Sequence, residues 1–294
     1  MGDAASAGGR YSTERLSCPE GIRWRPEEPW ARCLHLHGLG AHSGWFAPLG
    51  RLLAASGIEV VAPDLVPAGS TELPSPRELR VTARAALQQF SSVDSPLFLA
   101  GTSLGGCLSI DLLDDRGPRT RRRDVSLAGV ILFAPAFQPT YISAAETAAI
   151  VFRLFLGGSG SFETPAGRRL PVVSDSALLG SLREDPRANL SFSARSHLHA
   201  QLLILQAWGR ILRPRGGRGL PILCLQGSED CVVSAKINAR IFGRKGNAGG
   251  RQYLEVRGGH HDLPWEPHTD GMAERLIAWV REQAAGFRFG AGRQ

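Results

Sequence analysis

Short apolar runs alternate with stretches of helical spacing along most of this chain, the pattern of a mostly parallel sheet flanked by helices. Ala31 to His37 reads as a strand that ends at Gly38-Leu39-Gly40. Trp45 to Ala55 has helical spacing at Phe46, Leu49, Leu52 and Leu53, with Gly57 as a stop. Ile58 to Pro63 predicts a second strand, and Glu78 to Phe90 a second amphipathic helix. Pro96 to Thr102 predicts a central strand that runs straight into Ser103 and a helix through about Leu113. Val125 to Phe133, Leu220 to Gln226 and Gln252 to Val256 predict three more strands, and Met272 to Gln283 a closing helix. Tyr11 to Trp30 suggests edge strands, in an irregular pattern.

Between Pro135 and Gly219 the alternation stops, and roughly 80 residues of helical and loop-like sequence intervene. A structureless connection of that length is unusual inside a compact domain, so the segment reads as an inserted cap with a Gly-rich exit at Arg215-Gly216-Gly217-Arg218-Gly219. The expected organisation is a flexible tail over 1–10, an α/β core over 11–135 and 220–294, and a helical cap or lid over 136–219.

Composition excludes some classes of function. Hydrophobic residues make up 43% and charged residues 21% of the 294 positions, as in an ordinary soluble protein. The net charge of +7 comes almost wholly from arginine, since Lys236 and Lys245 are the only lysines. The densest basic run, Arg116 to Arg123, lies between two predicted elements without interleaved aromatics, so it reads as a solvated loop and no nucleic-acid partner is expected. The best transmembrane candidate, Tyr141 to Leu156, is interrupted by Glu146 and Arg153. Met1 to Arg10 is rich in Gly, Ala and Ser without an apolar core, so no secretory signal is read there and a cytoplasmic protein is expected. Gly2 and Ser6 fit the bare myristoylation pattern, which a flexible tail explains as well. Five cysteines without a CxxC pair argue against a disulfide framework.

Four loops carry chemistry. Gly101-Thr102-Ser103-Leu104-Gly105 lies at the predicted strand–helix junction. A hydroxyl on such a sharp turn is exposed for attack, and flanking glycines let the chain pack closely around it. Ser103 is therefore the candidate nucleophile. A tetrahedral oxyanion needs at least two donors. The candidates are the backbone N–H of Leu104, directly after Ser103, and that of Leu39 in His37-Gly38-Leu39-Gly40. His37 and Gly38 are expected to position that loop. His35 and His37 also form an HxH pair, but no suitably spaced carboxylate completes a metal site, and neither metal nor organic cofactor is expected.

The strand Ile222 to Gln226 leads into Gly227-Ser228-Glu229-Asp230, where a carboxylate can orient an imidazole. Asp230 is preferred because Cys231-Val232-Val233 then resumes packing, which leaves Glu229 as a solvated turn residue. The last strand leads to Gly258-Gly259-His260-His261-Asp262-Leu263, where spacing alone leaves His260 and His261 as rival bases. The chain order serine, aspartate, histidine is that of the α/β-hydrolase fold.

These motifs resemble the α/β-hydrolase superfamily, and within it the monoacylglycerol lipase and lysophospholipase-like group of serine aminopeptidase S33-type hydrolases. The resemblance runs from about Ala31 to Gln283 and rests on His37-Gly38-Leu39-Gly40-Ala41-His42-Ser43, Gly101 to Gly106, Gly227 to Asp230 and Gly259 to Leu263. In that group the catalytic histidine is commonly followed by an acidic residue and leucine, which selects His261 over His260. Asp185-Pro186 is similar to an Asp-Pro pair of that group's cap. One loop departs from the group. Relatives carry an Asp-x-x-Gly-His-Gly-x-Ser-like turn where this chain has Asp64-Leu65-Val66-Pro67-Ala68-Gly69-Ser70.

The resemblance implies an α/β-hydrolase fold, with a mostly parallel central sheet and a helical cap inserted before the acid-bearing strand. It also implies cleavage of small carboxylic esters through an acyl-enzyme, with lipid-like substrates such as monoacylglycerols or lysophospholipids. The same triad serves amide, thioester or carbon–carbon bond hydrolysis, because fold and triad do not fix the leaving group. A non-catalytic binding protein on this scaffold is the remaining alternative, and the intact set of Ser103, Asp230 and His261 argues against it. The apolar residues of Tyr141 to Leu156 fit either an acyl pocket or the cap's own core.

Overall fold

A hairpin of β1 (Tyr11–Ser17) and β2 (Glu20–Pro26) forms one edge of an eight-stranded sheet. The computed structural model describes residues 9–17, 19–67, 70–91, 95–113, 125–157, 160–213, 219–243 and 250–287. The expected tail over 1–10, apart from Gly9 and Arg10, lies outside the described residues, as do Gly2 and Ser6, Cys18, the run Arg116 to Arg123 and Arg215 to Arg218 of the Gly-rich exit.

The remaining strands of the sheet are β3 (Ala31–Leu36), β4 (Ile58–Pro63), β5 (Leu97–Thr102), β6 (Gly129–Phe133), β9 (Ile222–Gly227) and β10 (Arg251–Val256). Their order is β1-β2-β4-β3-β5-β6-β9-β10, parallel throughout except where β2 meets β1 and β4. Every residue of β3, β4, β5, β6 and β9 is buried, which explains why their sequences are mostly apolar and do not alternate with polar positions. Helices cover both faces, so neither face alternates with solvent. One face is covered by α2 (Pro76–Phe90) and α3 (Leu104–Leu112), the other by α1 (Ala47–Ala55) and α8 (Met272–Gly286).

Local chemistry sets the boundaries. The helix expected from Glu78 starts two residues earlier, because Ser75 caps it, Glu78 closes a capping box and Pro76 occupies the first turn. The helix expected from Trp45 divides into a 3₁₀ turn at Ser43–Phe46 and α1, whose first turn holds Pro48. The strand expected from Val125 starts only at Gly129, the partner of Phe98. Upstream of that pair only Leu97 of β5 remains, and Ala128 N donates to its carbonyl oxygen at 2.7 Å.

Between β6 and β9 lie α4 (Ala144–Phe155), the short antiparallel pair β7 (Ser161–Glu163) and β8 (Ser191–Ser193), α5 (Ser176–Glu184) and α6 (Ala194–Ile211). The α6 helix closes this span, yet Ala200, Leu203, Ile204, Ala207 and Ile211 form a helical stripe buried in the same core as α3. After β9 comes α7 (Ala235–Phe242), capped by the Ser234 side chain. Among the described residues no helix is long and apolar enough to cross a membrane.

Phe98 is fully buried and meets the Trp279 ring of α8 edge-on, with centroids 6.0 Å apart. Phe98→Ala is expected to lower the unfolding free energy by about 3–5 kcal/mol through lost burial and a cavity, measured by urea denaturation.

Candidate active site

The turn from β5 to α3 forces Ser103 into an uncommon conformation, with φ 52° and ψ −117°. For a residue with a Cβ this is strained, and the surroundings hold it there. Ser103 N donates to Phe133 O at 2.9 Å, and Ala136 N donates to Ser103 O at 3.1 Å. The flanking glycines are required by contact. A Cβ on Gly101 would meet Gly105 O at 2.3 Å, and one on Gly105 would meet Leu36 O at 2.1 Å. The seryl hydroxyl is thereby presented beyond the ends of the parallel strands.

His261 and Asp230 meet Ser103 from two other strand ends. His261 Nε2 lies 3.0 Å from Ser103 Oγ, and His261 Nδ1 lies 2.9 Å from Asp230 Oδ2. With its proton on Nδ1, His261 donates to the carboxylate and leaves Nε2 to accept from the serine. Both side chains are almost wholly shielded from solvent, at 5% and 0% exposure. The rivals point elsewhere: the His260 ring has Nδ1 3.4 Å from Glu266 Oε1, and Glu229 sits exposed with Ser228 Oγ at 3.1 Å.

Asp230 is held from every side. Its Oδ1 accepts from Val232 N at 2.7 Å and Val233 N at 3.0 Å, and its Oδ2 also accepts from Gln226 Nε2 at 2.7 Å. Gln226 is orientated in turn by Asn238 Nδ2, which donates to Gln226 Oε1 at 2.8 Å and to Pro135 O at 3.0 Å. Gln226 and Asn238 escaped the sequence reading, because a polar residue at the end of a strand and another inside an unrecognised helix carry no motif. Burial alone would raise the Asp230 carboxyl, but the charge and hydrogen bond of His261, with the Val233 and Val232 backbone donors, hold it below its usual value. Burial would likewise lower the His261 imidazolium, and Asp230 more than reverses this, leaving it above the usual histidine value.

The loop after β3 closes the other side. His37 Nδ1 donates to Gly38 O at 2.9 Å and His37 Nε2 accepts from Leu65 N at 2.9 Å, so a neutral imidazole ties this loop to the segment following β4. Burial lowers His37 and favours that neutral form. Gly38 passes so near the serine that a Cβ would stand 3.1 Å from Ser103 Cβ. Leu39 and Leu104 line the same cavity as Ser103 and His261, and among the described residues neither backbone N–H has a protein acceptor. Such free donors around a hydroxyl suit a developing oxyanion.

Loop 185–189 clamps this arrangement from outside. His42 Nε2 donates to Asp185 Oδ2 at 2.8 Å, Asn189 N donates to Gly40 O at 2.9 Å, and Arg187 Nη2 donates to Asp64 Oδ2 at 2.6 Å. Asp64 Oδ1 accepts from Ser43 N at 2.6 Å. Asp64 thus retains a structural task in the loop whose later residues depart from the family pattern. His35 stacks on Phe46 at 3.7 Å between centroids and lies 2.8 Å from Thr102 Oγ1. Among the described residues no group of three metal-ligating side chains converges.

The cavity at Ser103 measures about 50 Å³, and apart from Ser103, His261, Asp262, His197 and Gln201 its walls are apolar, including Leu39, Tyr141, Ile142, Val172 and Val233. Only the start of the apolar stretch 141–156 reaches it. Ile150 is buried elsewhere, while Phe152 and Phe155 are exposed at 62% and 84%. The stretch is therefore neither wholly pocket nor wholly cap core.

Comparison with known proteins settles the family. The family described as serine aminopeptidase, S33, matches residues 27–268. The chain belongs to that family. It is similar to the monoglyceride lipase of Mus musculus, at 26% identity over 275 residues covering 89% of this chain and 86% of the mouse protein. The human monoglyceride lipase gives 25% over 274 residues, with the same coverage. Among solved structures, the monoacylglycerol lipase of Paleococcus ferrophilus superposes with a TM-score of 0.69 at 19% identity, over 92% of this chain and 99% of that one. The fold of these relatives is the mostly parallel, helix-flanked sheet of the α/β-hydrolases, as the sequence motifs imply.

For a reaction in which neutral His261 takes a proton, the rate should rise with pH through a midpoint above the ordinary histidine value, about 6.5. In Asp230→Asn the raising partner is gone and burial remains. The midpoint should then shift to lower pH, and kcat should fall by roughly 10³–10⁴-fold, read from pH–rate profiles.

Proposed function

We propose that this protein hydrolyses carboxylic esters through an acyl-enzyme on Ser103, with monoacylglycerol- or lysophospholipid-like lipids as substrates. The observation that carries the chemistry is the unbroken line Ser103 Oγ, His261, Asp230, at 3.0 and 2.9 Å, beside two free backbone donors. In this reading Ser103, His261 and Asp230 are the catalytic triad, and the Ser103 turn is the nucleophile elbow. Leu39 and Leu104 form the oxyanion hole, which His37 and Gly38 position.

The sequence of bond changes follows from the geometry. His261 Nε2 takes the hydroxyl proton as Ser103 Oγ attacks the ester carbonyl, and the oxyanion settles against Leu39 N–H and Leu104 N–H. His261 then gives that proton to the departing alcohol, leaving an acyl-serine. Water, deprotonated by the same imidazole, attacks the acyl carbon and releases the acid while the proton returns to Ser103. Asp230 stays ionised throughout and stabilises the imidazolium.

Apolar walls and similarity to monoglyceride lipases favour an aliphatic acyl group over a charged one. A volume of about 50 Å³ falls well short of the roughly 300–1,000 Å³ of ordinary ligand pockets, so an acyl chain requires the wall to part. We assign that movement to the cap over 136–219, whose Tyr141 and Ile142 line the same cavity as Ser103. A cytoplasmic setting accords with Cys33, Cys107, Cys224 and Cys231, all free thiols.

Ser103→Ala should lower ester turnover by at least about 10³-fold with an unchanged circular dichroism spectrum. Among p-nitrophenyl esters, turnover should increase from acetate towards medium chains. Activity restricted to acetate, or faster cleavage of aminoacyl p-nitroanilides than of any ester, would overturn the lipid-ester reading.

A further inference from the structure

Ester cleavage places the leaving alcohol at His261, because the imidazole that activates Ser103 must also reach the departing oxygen. The next residue, Asp262, lines the cavity shared by Ser103 and His261. Among the described residues of that wall it is the only carboxylate, and no lysine or arginine accompanies it. Asp262 is buried and opens the 3₁₀ turn Leu263–Trp265, where an aspartate would ordinarily cap the free N–H groups. Its side chain makes no such bond. Only its backbone is engaged, the N–H donating to Val172 O at 2.8 Å and the carbonyl accepting from Trp265 N at 2.9 Å.

The Asp262 carboxylate has no hydrogen-bond partner among the described residues, yet its oxygens are not sealed inside the protein. Burial pushes this carboxyl up to about 6, against the lowering charge of His261. A carboxylate on a largely apolar wall is costly to keep unless something supplies it with a donor. An ammonium group would do so, but it would oppose the imidazolium that His261 must become during the reaction. A phosphate would meet a like charge, with no basic side chain among the described wall residues to hold it. A neutral hydroxyl donates to the carboxylate at neither cost.

We propose that Asp262 selects the leaving alcohol: its carboxylate accepts a hydrogen bond from a free hydroxyl of that alcohol and turns away alcohols that carry a phosphate. This rests on the ester-hydrolysis reading and narrows it, from lipid esters of either kind to esters of neutral diols and triols. Asp262 takes no proton in the reaction and forms no bond to the acyl group. It acts on which alcohol can stand at His261, while Ser103, His261 and Asp230 act on the bond itself.

Two pairs of esters sharing one acyl chain isolate the leaving group. Hydroxyethyl decanoate and propyl decanoate differ by a hydroxyl in place of a methyl, and decanoyl glycerophosphate differs from monodecanoylglycerol by the phosphate alone. Within each pair the ratio of kcat/KM cancels any loss common to both esters. The parent should favour the hydroxyethyl ester by about tenfold or more, as a hydrogen bond to a charged acceptor implies, and should disfavour the phosphate ester by at least about tenfold. In Asp262→Leu the hydroxyl preference should vanish. Asp262→Asn, whose amide oxygen still accepts, should keep part of that preference and should raise the relative turnover of the phosphate ester several-fold. As the closer isostere it also decides the matter should Asp262→Leu fail to fold. Failure to cleave any of these esters would overturn the ester reading and this proposal together. Cleavage with no hydroxyl preference in the parent, a preference unchanged in folded Asp262→Leu, or a phosphate ratio unchanged in Asp262→Asn would overturn this proposal alone.

Discussion

At Gly105 the first turn of α3 lies so near the end of β3 that a single methyl group would stand 2.1 Å from the Leu36 carbonyl oxygen. This close approach is the constraint on which the site depends. It pulls the helix tight against two neighbouring strands and thereby bends the chain at Ser103 through a conformation that few side-chain-bearing residues adopt. It also brings the helix N-terminus beside the loop that follows Leu36. The seryl oxygen, the Leu104 N–H and the Leu39 N–H share one cavity because three backbone segments touch there without intervening side chains.

Around that contact the polar groups form a closed set. Asn238 aligns Gln226, Gln226 and two backbone donors align Asp230, and Asp230 aligns His261 against Ser103. Each acceptor is orientated by something that is itself held, which suits chemistry needing a fixed imidazole in a water-poor setting. On the outer side, His42–Asp185 and Asp64–Arg187 couple the segment after β3 to loop 185–189. Loop 185–189 is therefore mechanically connected to the loop that carries Leu39.

How much of this was legible in the sequence follows from the range of the interactions. The central strands could be read because burial on both faces leaves short, mostly apolar runs of five or six residues, and the turn at Ser103 because glycine is required locally. Pro76 and Ser75 marked the true start of α2, a cap that hydrophobic spacing alone overlooks. The β7–β8 pair is three residues long, and α7 only eight, too short for periodicity to declare. Gln226 and Asn238 were silent because their meaning lies in a partner twelve residues apart and in Asp230, not in spacing. The outward-facing Phe152 and Phe155 show the same limit, since a hydrophobic count cannot tell which side of a helix meets the core. Choosing His261 over His260 needed a family pattern, and the geometry supplies an independent reason: one imidazole faces Ser103 and the other Glu266.

The most direct test of Ser103 as an activated nucleophile is covalent labelling by a fluorophosphonate, followed by mass spectrometry of the digested protein. The reagent reacts with a serine whose proton a neighbouring base can take and whose oxyanion is held, and it requires no knowledge of the natural substrate. Stoichiometric modification of the peptide containing Ser103, lost on His261→Ala, is the expected result. Folded protein that leaves Ser103 unmodified would contradict it.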